Sequence, residues 1–476
     1  MPRGSFSKDL LTMASGSAIA QAIPLAVSPI LSRLYTPESF GVFSTTVAVA
    51  SILGIASTGR FELAVVLPSE RRDALAIARG VIILSASVCG LAWALLALAF
   101  STLPQLGALS KIGAWQHLIP IFAFGIGLAS LGSFLANRDR SYLRMATAVT
   151  TQQAVAAGVA IIIGAAHLPV NGLLAGRLAG VFANAAILFR EIHSAFSSYW
   201  TDRRFVDSFR TLVRYRQFAF FNLPYSVIGT FSREFVVFSL MFAGAVEAAG
   251  LYGLVRSALA APISFLSASL SQVYYREAAE RSATAEFAQL TFRLLLSTSL
   301  VMAPALALVF IWGPDIFAVV FGEQWRGAGT FAQLLALPTL LSVMTSWPER
   351  IFEVRAKQSW SLAIQVGFDI LSIGSLVLAL KFGATPAVAI GVYAIVQAAY
   401  HLTYLSAVFV LVPLPLSKFC ILIGSVFAAC ATMWGVNELL SHATTHAWAQ
   451  FLLGVIAAAL LSTCGLIAVR SRNWQR

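Results

Sequence analysis

The chain has 476 residues, 58% apolar and 11% charged, with a mean hydropathy of +0.81. Soluble domains carry about a quarter charged residues, so soluble enzymes, disordered tails and nucleic-acid binders are excluded despite a net charge of +12. At about 20 residues per span, fourteen spans need about 280 residues and leave only short loops.

Apolar runs bounded by turn and charge signals predict spans near residues 10–33, 38–58, 74–100, 115–136, 142–165, 171–190, 217–243, 247–271, 287–312, 328–346, 360–381, 385–411, 416–437 and 447–469. The runs are continuous rather than alternating, which excludes a barrel. The expected fold class is an all-α polytopic membrane protein with about 14 transmembrane helices. A cleavable signal is the alternative reading of the first run. Its length, with Gln21, Pro24 and the closing Arg33-Leu-Tyr-Thr-Pro37, favours a retained span.

Charge supports the count. With the N-terminus in the cytoplasm, 25 of the 32 Lys and Arg residues fall on the inner side, four on the outer side, and Arg177, Arg233 and Arg256 inside spans. A miscount in the middle of the chain would invert every later loop and erase this asymmetry. Both termini are therefore expected in the cytoplasm.

Residues 191–216 form the longest hydrophilic stretch, with His193, Tyr199, Trp200 and five arginines. It reads as a basic cytoplasmic linker, partly interfacial, with a lipid-headgroup site as the sharper alternative. Six spans precede it, so a second six-span unit starts on the same side, as in parallel-repeat transporters. Glu38-Ser-Phe-Gly41-Val-Phe43 and Glu247-Ala-Ala-Gly250-Leu-Tyr252 share the pattern E-x-x-G-[VL]-[FY] and open the second span of each unit. The expected division is 1–190 for the first lobe, 191–216 for the linker, 217–411 for the second lobe, and 412–476 for two extra spans and a tail.

Sites for chemistry are sparse. Cys89, Cys420, Cys430 and Cys464 lie in apolar runs and read as small hydrophobes. No metalloprotease, nucleophile-elbow, Walker or dinucleotide motif stands in a usable loop, so neither an enzyme nor a bound cofactor or metal is expected. His442 and His446 have helix-turn spacing but no third ligand nearby. Without a Walker motif, active transport would draw on an H+ or Na+ gradient, or on substrate removal.

Charge inside the spans is the informative signal, because an arginine at mid-span costs about 2.5–3.5 kcal/mol even on insertion scales. Arg177, Arg233 and Arg256 lie seven to ten positions from the outer ends of their spans, roughly 10–15 Å deep. Glu234 and Asp369 are the buried acids. Adjacent Arg233 and Glu234 point about 100° apart and do not simply neutralise each other. Two readings stand: a structural ion pair such as Glu234 with Arg256, or a water-filled cavity whose arginines meet an anionic substrate. The excess of arginine favours the second, and its planar fork suits phosphate. Asp369 reads as a satisfied polar group or as an ion-coupling site, a role also open to Glu234. Gln21, Pro24 and Pro29 in the first span and Asn222-Leu-Pro224 in the seventh mark breaks or tolerated kinks.

A family resemblance rests on Ser15-Gly16, Ala20-Gln21, the run Ser28-Pro29 to Gly41, Arg60-Phe61-Glu62 through Pro68, Tyr215-Arg216-Gln-Phe218, Ala249-Gly250-Leu-Tyr252 with Pro262, and Gly322-x-x-Trp325-x-x-Ala328-Gly329. The chain resembles the Wzx-type polysaccharide and O-antigen flippases of the multidrug/oligosaccharidyl-lipid/polysaccharide (MOP) superfamily. That resemblance implies two six-helix lobes around a central cavity lined by the first, second, seventh and eighth helices. It also implies alternating access for an oligosaccharide on undecaprenyl diphosphate, moved across a bacterial inner membrane for O-antigen, capsule or exopolysaccharide synthesis. Polymerase and chain-length machinery would be partners beside the membrane lipids. Arg233, Glu234 and Arg256 would line the cavity, Arg33 its outer mouth, and Arg60 with Glu62 a headgroup or gate loop; a loop-stabilising pair is the alternative for these two. Rival readings are a drug/cation antiporter of the same superfamily, which would favour cavity carboxylates, and a polymerase or ligase, which needs a larger outer loop.

Overall fold

A computed structural model of the chain describes residues 3–102, 115–193, 205–443 and 447–471. Lys111, linker residues 194–204 with Tyr199 and Trp200, and His446 lie outside the described residues. Among the described residues there is no strand. The helices are α1 (Arg3–Leu34), α2 (Pro37–Thr58), α3 (Arg71–Thr102), α4 (Ile119–Arg138), α5 (Tyr142–Ala165), α6 (Gly172–Ile187), α7 (Phe205–Arg214) and α8 (Leu223–Phe242). They continue with α9 (Val246–Arg281), α10 (Ala285–Phe321), α11 (Arg326–Ser346), α12 (Ile351–Val354), α13 (Gln358–Lys381), α14 (Pro386–Leu411), α15 (Leu416–Ala443) and α16 (Ala447–Ser471). Every predicted span has its helix, and the chain is an all-α polytopic membrane protein. The additions are the short α7 and α12.

The chain forms two compact units, Met1–Gly253 and Leu254–Arg476, and the division falls two turns into α9. In the first unit the Tyr35-Thr-Pro37 corner explains itself residue by residue. Thr36 caps α2 by accepting from the Ser39 amide, and Pro37 fills the first turn, where a missing N–H costs nothing. Tyr35 is buried and donates to the Ala160 carbonyl at 2.7 Å, tying the end of α1 to α5. Asn171 caps α6 and also donates to the Ser39 carbonyl at 3.0 Å, joining α6 to α2.

Small residues then set how closely helices approach. Gly176 and Gly180 on α6 face the Ala156 and Gln152 carbonyls of α5, where an added Cβ would sit 2.3 and 2.4 Å from oxygen. At the other contact, Gly41 on α2 faces the Val246 carbonyl and Gly250 on α9 faces the Pro37 carbonyl. Pro37 and Val246 stand 209 residues apart, as do Gly41 and Gly250, and Ser44 meets Gly253 at the same offset. Residue i touching the counterpart of j, while j touches the counterpart of i, is the signature of a two-fold axis. The two E-x-x-G copies pack on each other.

At the Lys/Arg-rich end of this unit a core forms around Ile77, Val81, Leu131, Leu135 and Leu188. Amphipathic α7 docks on α3, with Leu212 against Gly80 and Arg214 beside Asp73 at 3.7 Å, while Phe209 and Val213 stay exposed.

The second unit is built on Tyr274, Phe287, Leu295, Trp347, Phe352 and Leu405. α10 runs past the expected residue 312 to Phe321, with one non-helical residue at Trp312. Pro314 accounts for the break: it removes an amide and crowds the backbone before it. The Gly322-to-Gly329 motif closes the α10–α11 turn. Gly322 takes φ +110°, Trp325 is fully buried, and Gly329 packs backbone to backbone on Gly313. Of the two readings for α1, a break or a tolerated proline, the structure shows the second. α1 passes through Pro24 and Pro29, and the Ser28 hydroxyl donates at 2.8 Å to the Leu25 carbonyl that Pro29 leaves without a partner. The seventh span does change register: a π-helical turn, Phe218–Asn222, precedes Pro224.

Candidate functional site

Ten described helices are long and apolar enough to cross a membrane. The four predicted spans outside that set are α1 and α6, with shorter apolar stretches, and α8 and α9. These four helices carry Arg33, Arg177, Arg233, Glu234 and Arg256.

Arg177 is half-buried on α6 and donates to Gln153 Oε1 of α5 at 3.1 Å. Two turns along, buried Asn184 donates to Gln152 Oε1 at 2.9 Å. The glycine-mediated approach of α5 and α6 brings these four polar groups into one seam. An amide satisfies a guanidinium N–H without cancelling its charge, so Arg177 keeps a full positive charge inside the span.

On α8, Arg233 is exposed and donates to the buried Thr230 hydroxyl at 3.0 Å, and Glu234 is half-buried. Phe231 lies between Phe235 and Phe238, at ring separations of 5.5 and 5.8 Å. Arg256, half-buried, follows the buried run Leu251–Val255 on α9. Arg33 is exposed at the end of α1, where Nη1 donates to the Pro29 carbonyl at 2.8 Å.

The loop between α2 and α3 does pair its predicted residues. Arg60 takes a left-handed backbone, φ 60°, and its Nη1 meets Glu62 Oε1 at 3.1 Å. Glu62 is 1% exposed and its second oxygen has no partner. Burial pushes its carboxyl above the ordinary range, against the opposing pull of the Thr58 hydroxyl and Arg60.

Sequence reasoning counted Arg138 and Arg79 only as topogenic charges. Arg138 clamps this same loop by donating to the carbonyls of Val65, Pro68 and Ser69. Arg79 is 7% exposed, and its Nε and Nη1 have no hydrogen-bond partner. Its position two turns inside α3, rather than at the end, was the available signal. His401 on α14 was also missed; its Nδ1 lies 2.8 Å from the Thr345 hydroxyl.

Asp369 is half-buried on α13, next to Phe368, which packs on Tyr400 of α14 at 5.8 Å. Polar contacts line this helix pair: Gln397 with Ser372 and Tyr393, and Ser361 with Tyr404. Among the described residues no three His, Cys, Asp or Glu side chains converge as metal ligands.

A family model described as polysaccharide biosynthesis protein matches residues 30–330. The chain belongs to that family. Among solved structures, lipid II flippase MurJ in an inward closed conformation is similar at 11% identity, with 98% of this chain and 100% of that chain covered and a TM-score of 0.68. An inward-facing multidrug resistance MATE family transporter of the MOP superfamily is similar at 15% identity, covering 82% and 95%, with a TM-score of 0.50. At these identities the likeness is one of fold, and it agrees with the expected polysaccharide flippase resemblance. No curated protein matches the chain in sequence. The polysaccharide biosynthesis family and the fold are those of a membrane transporter.

Proposed function

We propose that this family member flips oligosaccharide repeat units carried on undecaprenyl diphosphate from the cytoplasmic to the periplasmic leaflet of a bacterial inner membrane, for O-antigen, capsule or exopolysaccharide synthesis. It works by alternating access with an arginine-lined cavity and without chemistry on the substrate. Arg177, Arg233 and Arg256 meet the diphosphate, with Glu234 and Arg33 beside them, and Arg60 and Glu62 form the loop at the headgroup entrance. The observation that carries the reading is the charge on Arg177, which is satisfied by Gln153 but not neutralised. That charge suits a diphosphate and disfavours a cationic drug. The MurJ fold adds support, because the protein bearing that name is a lipid II flippase. H+ or Na+ coupling through Asp369 or Glu234, and docking of polymerase and chain-length proteins, belong to the same proposal.

The test is deletion of the gene with mass spectrometry of lipid-linked intermediates. The expected result is lost surface polymer, with single repeat units stranded on undecaprenyl diphosphate. Intact polymer with altered drug sensitivity would make the chain a multidrug antiporter.

A further inference from the structure

A polar cleft of about 520 Å³ opens on the Lys/Arg-rich face of the first unit, between the α4–α5 turn and the start of α3. Its volume is in the roughly 300–1,000 Å³ range of small-molecule sites. Three guanidinium groups line it, those of Arg71, Arg138 and Arg140, against one carboxylate, Asp139. Arg71 reaches Asp139 at 3.6 Å, so one charge is partly offset. Arg138 is held by three backbone carbonyls, which fix the group and leave its charge intact.

Arg140 is the telling residue. It is exposed, and its guanidinium has no hydrogen-bond or ion-pair partner among the described residues. It closes α4 at φ 54°, its amide donating to the Asn137 carbonyl while the Ser141 amide donates to that of Ala136. That pair of bonds is a Schellman closure, whose left-handed position glycine fills without strain. Here an arginine fills it and aims a free cation into the cleft. Asn137 and Tyr142 add neutral hydrogen-bonding groups.

The cleft also sits at headgroup depth: the apolar run of α4 ends at Ala136, and Tyr142 opens the next span. We propose that this cleft binds the phosphate of an anionic lipid headgroup, independently of the transported substrate. Topogenic arginines alone would require neither a concavity nor a guanidinium anchored on carbonyls.

The experiment uses the full chain purified in detergent, with lipid retention read by native mass spectrometry. Phosphatidylglycerol is expected to be retained and phosphatidylcholine, whose phosphate is neutralised by its own ammonium, is not. Arg140→Gln should lower phosphatidylglycerol retention roughly fivefold, and Arg140→Lys should restore most of it, since a basic residue near an anionic surface contributes about that factor. The Arg140 guanidinium has no partner among the described residues, so neither variant threatens the fold; an unchanged elution profile and melting midpoint check this. Competition by inorganic pyrophosphate at micromolar concentration would identify soluble phosphate as the ligand in place of the lipid. Equal retention of the two lipids, or an Arg140→Gln chain that binds like the native one, would overturn the proposal.

Discussion

The reciprocal contact of Gly41 and Gly250 leads to a sharp prediction. A Cβ on Gly250 would lie 1.8 Å from the Pro37 carbonyl oxygen and 2.7 Å from the Gly41 amide nitrogen, and one on Gly41 would lie 2.1 Å from the Val246 oxygen. Carbon meets carbonyl oxygen at roughly 3.3 Å or more, so Gly250→Ala must part α2 and α9 by about 1.5 Å. The obstructing atoms are backbone and cannot turn aside as a side chain would. Overpacking of this kind costs about 1–3 kcal/mol. The displacement that accommodates one methyl group also accommodates most of the other, because the two glycines are two-fold counterparts. The double variant Gly41→Ala/Gly250→Ala should therefore cost little more than either single one, a coupling of about 1 kcal/mol or more. Thermal unfolding of the detergent-purified chain, single variants against double, measures it. A Gly250→Ala chain that melts like the native protein, or single-variant losses that simply add, would refute the packing argument.

Four other outcomes are expected. Arg233→Ala and Arg256→Ala should each abolish surface polysaccharide while leaving the amount in the membrane unchanged, as read by complementation and immunoblotting; normal export by both sinks the arginine-lined cavity. For Glu62, burial raises the folded-state value above 4.5, so its contribution to stability is complete below that value and is lost as pH rises through the folded one. Melting midpoints of Glu62→Gln, followed from acid to neutral pH, should lose that dependence. Arg79→Leu removes a buried guanidinium, two of whose nitrogens have no hydrogen-bond partner, and should raise stability by about 1–4 kcal/mol in chemical denaturation. Gln153→Glu should neutralise Arg177 with a carboxylate, raising the melting midpoint and lowering export; unimpaired export would remove Arg177 from the substrate path.

Span positions were legible because continuous apolar runs report hydrocarbon thickness directly, and the charge asymmetry checks their number. Residue pairing was less so. Arg60 and Glu62 meet because a two-residue spacing across a left-handed turn is local. The partner of Arg177 is Gln153, 24 residues away, and nothing in composition distinguishes that glutamine from Gln152, which bonds Asn184 instead. The proline breaks were half legible: proline announces a lost amide, but whether Ser28 or a register change repairs the loss depends on local geometry. The E-x-x-G echo was readable as a repeat. That its two copies pack on each other follows only from the reciprocal glycine contacts.

The distribution of neutralised and unneutralised arginines bears on substrate sign. Carboxylate partners occur at helix ends and loops: Glu62 for Arg60, Glu191 for Arg144, Asp73 for Arg214, Glu277 for Arg281, and Asp315 with Glu323 for Arg326. The Arg214, Arg281 and Arg326 pairs reach solvent on both sides, so solvent screens them and each contributes little. Arg177 has an amide, and Arg79, though almost wholly buried, has no hydrogen-bond partner for two of its nitrogens. Stability alone would favour the opposite arrangement, since the desolvation penalty of an unpaired charge is largest where water is scarce. A chain with 20 acidic residues that commits several to its faces, and leaves Arg177 with an amide inside a span, carries a field suited to attracting an anion. In the proposed function, a diphosphate on a lipid carrier would supply that anion from within the membrane plane, and its arrival at Arg177 would offset the penalty that the resting fold bears.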